Sequence, residues 1–339
     1  MHGARAQGRA GLRSRRYVER ADAATSVAVR YPAGPVQQRG SDVSTTAAPE
    51  PRAPIGVFDS GVGGLTVLRA LAGRLPGEDF VYLGDTARLP YGTKSPESIR
   101  RYALQAAGLL KARGVKCLVV ACNTASAVAL DSLARAFEPV PVVGVLEPGA
   151  AAACRATRSG RIAVIATEST VRGGAYPRAI ARRLPSAVVT ARACPLFVAL
   201  AEEGWTDGPI VAAVAHRYLD DLFAGAAPGG APDTLVLGCT HFPVLEPALR
   251  EVLGPPVTIV DSAATTAAAL ADVLAQRGLA RPPGGPGGAI TLLATDGAER
   301  FARVGGTFLG RPLEAGQVEI VDLAGYAPAP APAGHPRPD

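Results

Sequence analysis

Short runs of apolar, mostly β-branched residues alternate with longer stretches of helical periodicity between residues 55 and 294. Each run is apolar at nearly every position, which is typical of strands that are covered on both faces. Strands that alternate with helices in this way form parallel sheets with crossover helices. The predicted strands are Ile55–Phe58, Phe80–Leu83, Cys117–Ala121, Val142–Leu146, Ile162–Ala166, Ala187–Ala191, Thr234–Gly238, Val257–Asp261 and Ile290–Ala294.

The two ends of the chain lack any sustained period of 2 or 3.6 residues. Residues 1–53 are rich in Arg, Ala, Gly and Ser, and we expect them to be disordered. Their Arg-rich, acid-poor start is typical of a transit peptide, or of a start codon assigned too early, and both interpretations stay open. Residues 326–339 are predicted to form a second disordered tail, rich in Pro and Ala.

Length and charge limit the class of protein. A chain of 339 residues exceeds the usual size of a single core, so two lobes are expected, and a hydrophobic fraction of 48% excludes global disorder. The net charge is +6, but residues 1–54 hold nine Arg against four acidic residues and so carry most of it. Because the remainder is nearly neutral, the sequence predicts a small-molecule enzyme that does not bind nucleic acid.

Cysteine and histidine usage narrows the chemistry. The five cysteines form no C-x-x-C pair, which favours a reduced, cytoplasmic protein. The four histidines show no metal-ligand spacing, so no metal is expected. No apolar run reaches the roughly 18 residues of a membrane helix, so no membrane partner is expected. Packing roles are predicted for Cys117, Cys154 and Cys194.

A weak internal repeat sets the other two cysteines apart. Lys116–Thr124 resembles Asp233–His241, and the repeat places Cys122 and Cys239 at the same point, where a buried strand gives way to a helix. Ligands of open α/β sheets bind at the carboxyl ends of strands. Both thiols are therefore expected in functional crevices, and they face one another if the two halves of the chain do.

Two facing thiols suit inversion at an amino-acid α-carbon. That reaction needs acid/base groups on both sides of a planar intermediate, and a thiol with a reference pKa of about 8.5 is better poised for it than an alcohol. Short polar side chains and backbone N–H groups at helix starts can hold a carboxylate or an ammonium group. A buried structural role for each thiol is the alternative. The polar residues that follow them are Asn123, Thr124, Thr240 and His241.

A Gly-rich segment, Phe58–Thr66, follows the first predicted strand and resembles a dinucleotide-binding loop. However, Thr66 stands where the G-x-G-x-x-G template has its third Gly, and no acidic residue closes the second strand. The glycines are better explained by close approach of the backbone to a small ligand. Asp59 and Ser60 are then expected in the same crevice as Cys122.

Seven segments in order resemble the glutamate racemase family, within the aspartate/glutamate racemases. The resemblance covers Ile55 to Ala264, with a weaker remainder to about Leu323, and the D-S-G-V-G-G, A-C-N-T and G-C-T-H blocks carry most of it. The segments are Ile55–Leu71, Tyr82–Ser95, Val119–Ala127, Val143–Gly149, Ile165–Tyr176, Pro195–Gly204 and Leu235–Leu245.

The resemblance implies a fold and an activity. It implies an α/β protein of two pseudo-symmetric lobes with mainly parallel sheets and the active site in the cleft between them. The first lobe would comprise residues 54–146 and 262–325, and the second residues 147–261. It also implies a homodimer that interconverts L- and D-glutamate without pyridoxal phosphate or metal, supplying D-glutamate for peptidoglycan.

The resemblance also implies residue roles. Cys122 would take the α-proton of D-glutamate with help from Asp59. Cys239 would take that of L-glutamate, with His241 and its neighbour Glu202. Spacing alone leaves Asp59 and His241 open as helix caps, Tyr91 as a turn residue, and Glu203 as the neighbour of His241. The implied substrate-binding residues are Asp59, Ser60, Tyr91, Gly92, Asn123, Thr124, Thr170, Thr240 and His241.

Two other functions stay open at this point. A racemase of the same group that acts on aspartate or a hydantoin would keep both thiols and change the contacts to the distal group of the substrate. A non-enzymatic regulator that binds a DNA-processing enzyme would use the basic residues 1–53.

Overall fold

Two parallel sheets organise the computed structural model, which describes residues 49–224, 230–283 and 288–326. Every pair of neighbouring strands is parallel, which confirms the predicted fold class. The strands are β1 Ile55–Asp59, β2 Phe80–Gly84, β3 Cys117–Val120, β4 Val142–Gly144, β5 Arg161–Ala166, β6 Val188–Ala193, β7 Thr234–Gly238, β8 Thr258–Asp261, β9 Ile290–Ala294 and β10 Val318–Ile320.

The first sheet has the order β10-β9-β2-β1-β3-β4, and the second has the order β6-β5-β7-β8. Crossover helices cover the sheets. They are α1 Leu65–Arg74, α2 Pro96–Ala112, α3 Asn123–Phe137, α4 Leu146–Ala156, α5 Glu168–Arg172, α6 Ala175–Arg183, α7 Pro195–Glu202, α8 Gly208–Phe223, α9 Glu246–Leu253, α10 Ser262–Gln276 and α11 Ala298–Leu309.

The continuous apolar runs are explained by burial on both faces of each sheet. In β1, Ile55 and Val57 pack with residues of α1, α10 and α11, whereas Phe58 packs on the opposite face with residues of α2 and α3. In β5, Ile165 faces α7 and α8, and its neighbour Val164 faces α4 and α6. Alternate residues therefore serve two cores, which explains why the inner positions of these strands are apolar on both faces.

The chain returns to the first sheet after the second is complete. β9 pairs with β2, placing Ile290 opposite Phe80, and α10 packs against α1. Of the two predicted tails, residues 1–48 and 327–339 lie outside the described residues. None of the helices in the described ranges is long and apolar enough to cross a membrane.

The structure differs from the strand predictions at β4, β6 and β10. The strand predicted over Ala187–Ala191 begins at Val188 and extends to Ala193. The run predicted over Val142–Leu146 stops as a strand at Gly144, because Leu146 already begins α4, with Pro148 tolerated in its first turn. The edge strand β10 was not predicted. It has three residues, of which Glu319 and Ile320 are exposed, so it lacks the apolar run by which the buried strands were recognised.

Candidate active site

Both repeat cysteines lie at the carboxyl ends of strands. Cys122 follows β3 and caps the amino end of α3, where its Sγ accepts a hydrogen bond from the Ala125 N–H at 3.5 Å. Cys239 directly follows β7. Each cysteine is only 5% exposed. At Cys239 the expected helix start is a short 3₁₀ turn, Phe242–Leu245, and α9 begins only after it.

The surroundings of Cys122 are acidic and buried. Its Sγ lies 3.6 Å from the Ser60 hydroxyl, and the fully buried Asp59 accepts a hydrogen bond from the Gly61 N–H at 3.0 Å. Burial, and then the charge of Asp59, raise the pKa of Cys122 to about 12. Burial also raises the pKa of Asp59, which a protonated His241 counteracts. Cys122 therefore carries its proton near neutral pH.

Cys239 has a basic partner instead. Its Sγ lies 3.8 Å from His241 Nδ1, and His241 Nε2 lies 3.1 Å from Glu202 Oε1. Burial opposes protonation of His241, but the hydrogen bonds to Cys239 and Glu202 outweigh it and raise the pKa of His241 to about 10. The hydrogen bond to His241 lowers the pKa of Glu202. Glu202, rather than the exposed Glu203, is thus the residue that contacts the imidazole.

The two halves of the site belong to one interface. The Thr66 hydroxyl, from α1, donates to the Thr240 carbonyl at 3.0 Å. Thr124 at the start of α3 contacts the hydroxyls of Thr167 and Thr170 at 3.0 and 3.1 Å. After burial and Asp59, the charge of Cys239 also contributes to the raised pKa of Cys122. The carboxyl ends of the two sheets therefore face each other with the two thiols within electrostatic reach.

Two glycines allow this close approach. A Cβ atom on Gly63 would lie 2.6 Å from Thr240 Oγ1 and would also overlap the His241 ring. A Cβ atom on Gly92 would lie 2.8 Å from Thr167 Cβ. Since real Cβ contacts are not this short, any larger residue at either position would push the lobes apart.

Polar atoms without partners mark the centre of the cleft. Among the described residues, Asp59 Oδ1 and Asn123 Nδ2 are buried and have no hydrogen-bond partner. The Tyr176 hydroxyl donates to Asn123 Oδ1 at 2.7 Å and so fixes which way the carboxamide points. A buried polar atom without a partner is costly, so these two atoms are suited to a ligand that has both a cationic and an anionic group.

A family model for Asp/Glu/Hydantoin racemase matches residues 60–270. A glutamate racemase from Geobacter metallireducens is 51% identical over 269 residues, covering 79% of this chain and 96% of that protein. The chain belongs to the glutamate racemases of this family.

Solved structures agree with this family. The structure of a glutamate racemase from Francisella tularensis in complex with D-glutamate matches this chain with a TM-score of 0.74 and 35% identity. The match covers 81% of this chain and all of the other. One from Thermus thermophilus, in complex with β-chloro-D-alanine, matches with a TM-score of 0.71 and 46% identity, covering 81% of this chain and 98% of the other. These neighbours share the two-lobe fold.

The structure shows whether Asp59 and His241 are helix caps and whether Tyr91 is a turn residue. The amino-end cap of α1 is Gly64, so Asp59 does not cap that helix, and His241 makes no side-chain capping bond. Tyr91 begins a short 3₁₀ turn and is 1% exposed, with its hydroxyl donated to Asp85. Tyr91 is therefore a turn residue whose side chain is buried in the protein interior.

Several residues of the site were missed from the sequence. Thr167 and Tyr176 lie within the family segment Ile165–Tyr176, but a lone hydroxyl gives no signal of its own. Arg300, whose Nη2 donates to Glu202 Oε2 at 2.6 Å, lies outside every family segment. In the described part of the chain, no group of three His, Cys, Asp or Glu side chains is arranged to hold a metal ion.

The hydrogen bond from Tyr176 to Asn123 is expected to affect substrate binding. Replacing Tyr176 by Phe removes the hydrogen bond that orients Asn123 and leaves the buried Oδ1 without a donor. A loss of about 1.4 kcal/mol would raise KM for both glutamate enantiomers about tenfold. Steady-state kinetics would measure this. Tyr218→Phe is the matched control, because its hydroxyl accepts from the Leu196 N–H on α7 and bonds to no side chain of the site among the described residues. An unchanged KM in Tyr176→Phe would contradict the role given to Asn123.

Proposed function

We propose that this racemase interconverts L- and D-glutamate by moving the α-proton between Cys122 and Cys239. The observation that carries the proposal is the pair of buried thiols at corresponding strand ends, each with its own titratable partner, Asp59 beside one and His241 beside the other. Such an arrangement provides an acid and a base on opposite sides of one small cleft. The match to relatives that act on glutamate supports the choice of substrate.

With L-glutamate, Cys239 acts as the base. Its thiolate takes the α-proton, and the C–H electron pair is delocalised into the α-carboxylate to give a planar intermediate. The Cys122 thiol then gives its proton to the opposite face, which forms D-glutamate and leaves a thiolate at Cys122. A protonated His241 next to Cys239 stabilises the thiolate before the transfer, and the ionised Glu202 keeps His241 protonated.

With D-glutamate, the roles of the thiols are reversed. Cys122 must lose its proton, and we assign Asp59, whose charge it senses, as the acceptor. The substrate ammonium group would favour this step, because a nearby cation lowers the pKa of a thiol. Since the two enantiomers have equal free energy, kcat/KM is the same in both directions. The difference between the two ends of the site therefore appears only in kcat and KM taken separately.

The polar wall of the cleft is assigned to substrate binding. Asn123 and Thr124 begin α3, where free backbone N–H groups and the helix dipole favour a carboxylate. The unpartnered Asp59 Oδ1 suits the ammonium group. We assign the remaining contacts to Ser60, Thr170, Thr240, His241, Tyr91 and Gly92, with Gly92 contributing its backbone.

The direct test is to incubate the purified protein with each glutamate enantiomer in deuterium oxide. Circular dichroism reports loss of optical activity, and NMR reports deuterium at the α-carbon. The proposal expects the product enantiomer to carry one deuteron, with L-aspartate turned over far more slowly. Faster turnover of aspartate or of a hydantoin would move the protein to another substrate within the same family.

We further propose that the protein is cytoplasmic, forms a homodimer and supplies D-glutamate for peptidoglycan. The family resemblance supports all three. Exposed apolar side chains such as Leu196 and Ile210, each 55% exposed, are of the kind that a subunit contact covers. Sedimentation at micromolar concentration would distinguish a dimer from a monomer.

A further inference from the structure

Helix α11 of the first lobe contacts the acid/base pair of the second lobe at two points. The Phe308 ring packs edge-on against the His241 imidazole, with ring centroids 5.1 Å apart and an interplanar angle of 74°. Two turns earlier, Arg300 Nη2 donates to Glu202 Oε2 at 2.6 Å. The environment of His241 is thus completed by a helix that does not belong to its own lobe.

The carboxylate of Glu202 is shared between the two lobes. Its Oε1 contacts His241 Nε2 at 3.1 Å, and its Oε2 accepts from Arg300. Glu202 is the last residue of α7, and its side chain is 17% exposed beside a cleft of about 170 Å³ that Arg300 also lines. Without a second partner, a carboxylate at a helix end beside water can rotate away from the imidazole.

We propose that Arg300 is a positioning residue: it holds Oε2 of Glu202 and thereby keeps Oε1 on His241. This deepens the proposed function, on which it rests, because His241 matters to catalysis only if Cys239 is a base. Within the described part of the chain Arg300 contacts neither thiol, so it acts through Glu202. The chain of contacts then runs from Arg300 through Glu202 and His241 to Cys239.

The groups that face His241 decide the sign of the expected effect. They are Cys239 at the end of β7, Glu202 at the end of α7 and Asp59 at the end of β1. Losing the Arg300 cation would by itself favour a protonated His241. However, Arg300 is 52% exposed and is screened by water, whereas Glu202 contacts the imidazole directly. The loss of the Glu202 hydrogen bond therefore outweighs the loss of the cation, and the pKa of His241 falls.

The experiment compares Arg300→Gln with Arg303→Gln in the full chain. Arg303 is exposed on the same helix, so this control removes the same charge without touching Glu202. The chain has four histidines, which makes NMR titration of labelled histidine feasible. In Arg300→Gln, the pKa of His241 should fall by about one pH unit, as expected for loss of one hydrogen bond to a charged group. Arg303→Gln should leave the pKa of His241 unchanged. Arg300→Lys should bring that pKa part of the way back to its wild-type value.

Kinetics provide a second measurement. With L-glutamate, kcat of Arg300→Gln should fall about tenfold while KM changes little, since the substrate contacts are intact. An unchanged or raised pKa of His241 in Arg300→Gln, or an equal fall in Arg303→Gln, would overturn the proposal. The titration needs no substrate. A wild-type protein that fails to turn over glutamate would therefore refute the proposed function while leaving the contact between Arg300 and Glu202 testable.

Discussion

Replacing either Cys122 or Cys239 by Ala is expected to abolish racemisation, with kcat/KM for both enantiomers falling about 10³-fold or more. Each variant leaves only one face of the substrate with a group that can move a proton, so inversion cannot be completed. Because the equilibrium constant is one, the two directions must lose kcat/KM equally. Chiral chromatography of the product after long incubation would measure the residual rate.

Solvent exchange gives this prediction a sharper form. Cys122→Ala keeps Cys239, which can remove the α-proton of L-glutamate and return a deuteron to the same face. It should therefore label L-glutamate without inverting it and leave D-glutamate unlabelled. Cys239→Ala should show the opposite preference. Labelling of the same enantiomer by both variants would contradict the placement of the thiols on opposite faces.

Cys154→Ala is the matched control for these variants. Cys154 lies in α4 on the second lobe, where it packs against the apolar core, and its Sγ reaches the Ile180 carbonyl only at a long distance of 3.9 Å. Loss of one sulfur atom there should leave kcat/KM within about twofold of wild type. Wild-type activity in both Cys122→Ala and Cys239→Ala would end the two-thiol proposal.

The strands of the two sheets were predictable because strands buried on both faces are continuous apolar runs in the sequence. Val57 and Phe58 point to different cores, yet both must be apolar, so the run itself identifies the strand. The repeat around Cys122 and Cys239 was recognisable in the same way. In both copies the apolar run of a buried strand is followed by a cysteine and then by polar residues. The strand β10 has no such apolar run, because two of its three residues, Glu319 and Ile320, face water.

Contacts between the lobes could not be predicted in this way. Thr66 and Thr240 are 174 positions apart, and nothing in the local pattern of either shows that one hydroxyl donates to the other's carbonyl. Arg300 illustrates the same limit, because an exposed Arg on an amphipathic helix is usually a solvated residue. Its position against Glu202 follows only from the packing of α11 beside the second lobe.

Replacing Lys116 by Met is expected to cause a large loss of stability although it lies outside the cleft. Lys116 Nζ lies 2.5 Å from Glu78 Oε2 and 2.6 Å from the Pro51 carbonyl, and its side chain is fully buried. Glu78 Oε1 also accepts from the Arg281 N–H at 2.8 Å. Met would leave the buried Glu78 carboxylate without its cation, which costs about 3–5 kcal/mol. Chemical denaturation would measure the free energy of unfolding.

A double variant separates the lost charge pair from lost packing. In Lys116→Met with Glu78→Gln, no uncompensated carboxylate remains, and the Gln carbonyl can still accept from Arg281. Most of the lost stability should return. Arg113→Gln breaks the partly exposed pair with Glu319 and should cost about 1 kcal/mol or less. Equal losses in Lys116→Met and Arg113→Gln would contradict the role given to burial.

The buried pair of Lys116 and Glu78 lies at the amino ends of the strands of the first sheet, whereas the thiols lie at the carboxyl ends. Lys116 precedes β3 at its amino end, whereas Cys122 follows the carboxyl end of the same strand. Loss of the pair therefore weakens the attachment of the segments around Pro51 and Arg281 without moving a catalytic atom. At temperatures where Lys116→Met is folded, its kcat/KM should equal that of wild type. A Lys116→Met variant that is fully folded but inactive would contradict this, because the change at the amino ends of the strands would then have altered the active site at their carboxyl ends.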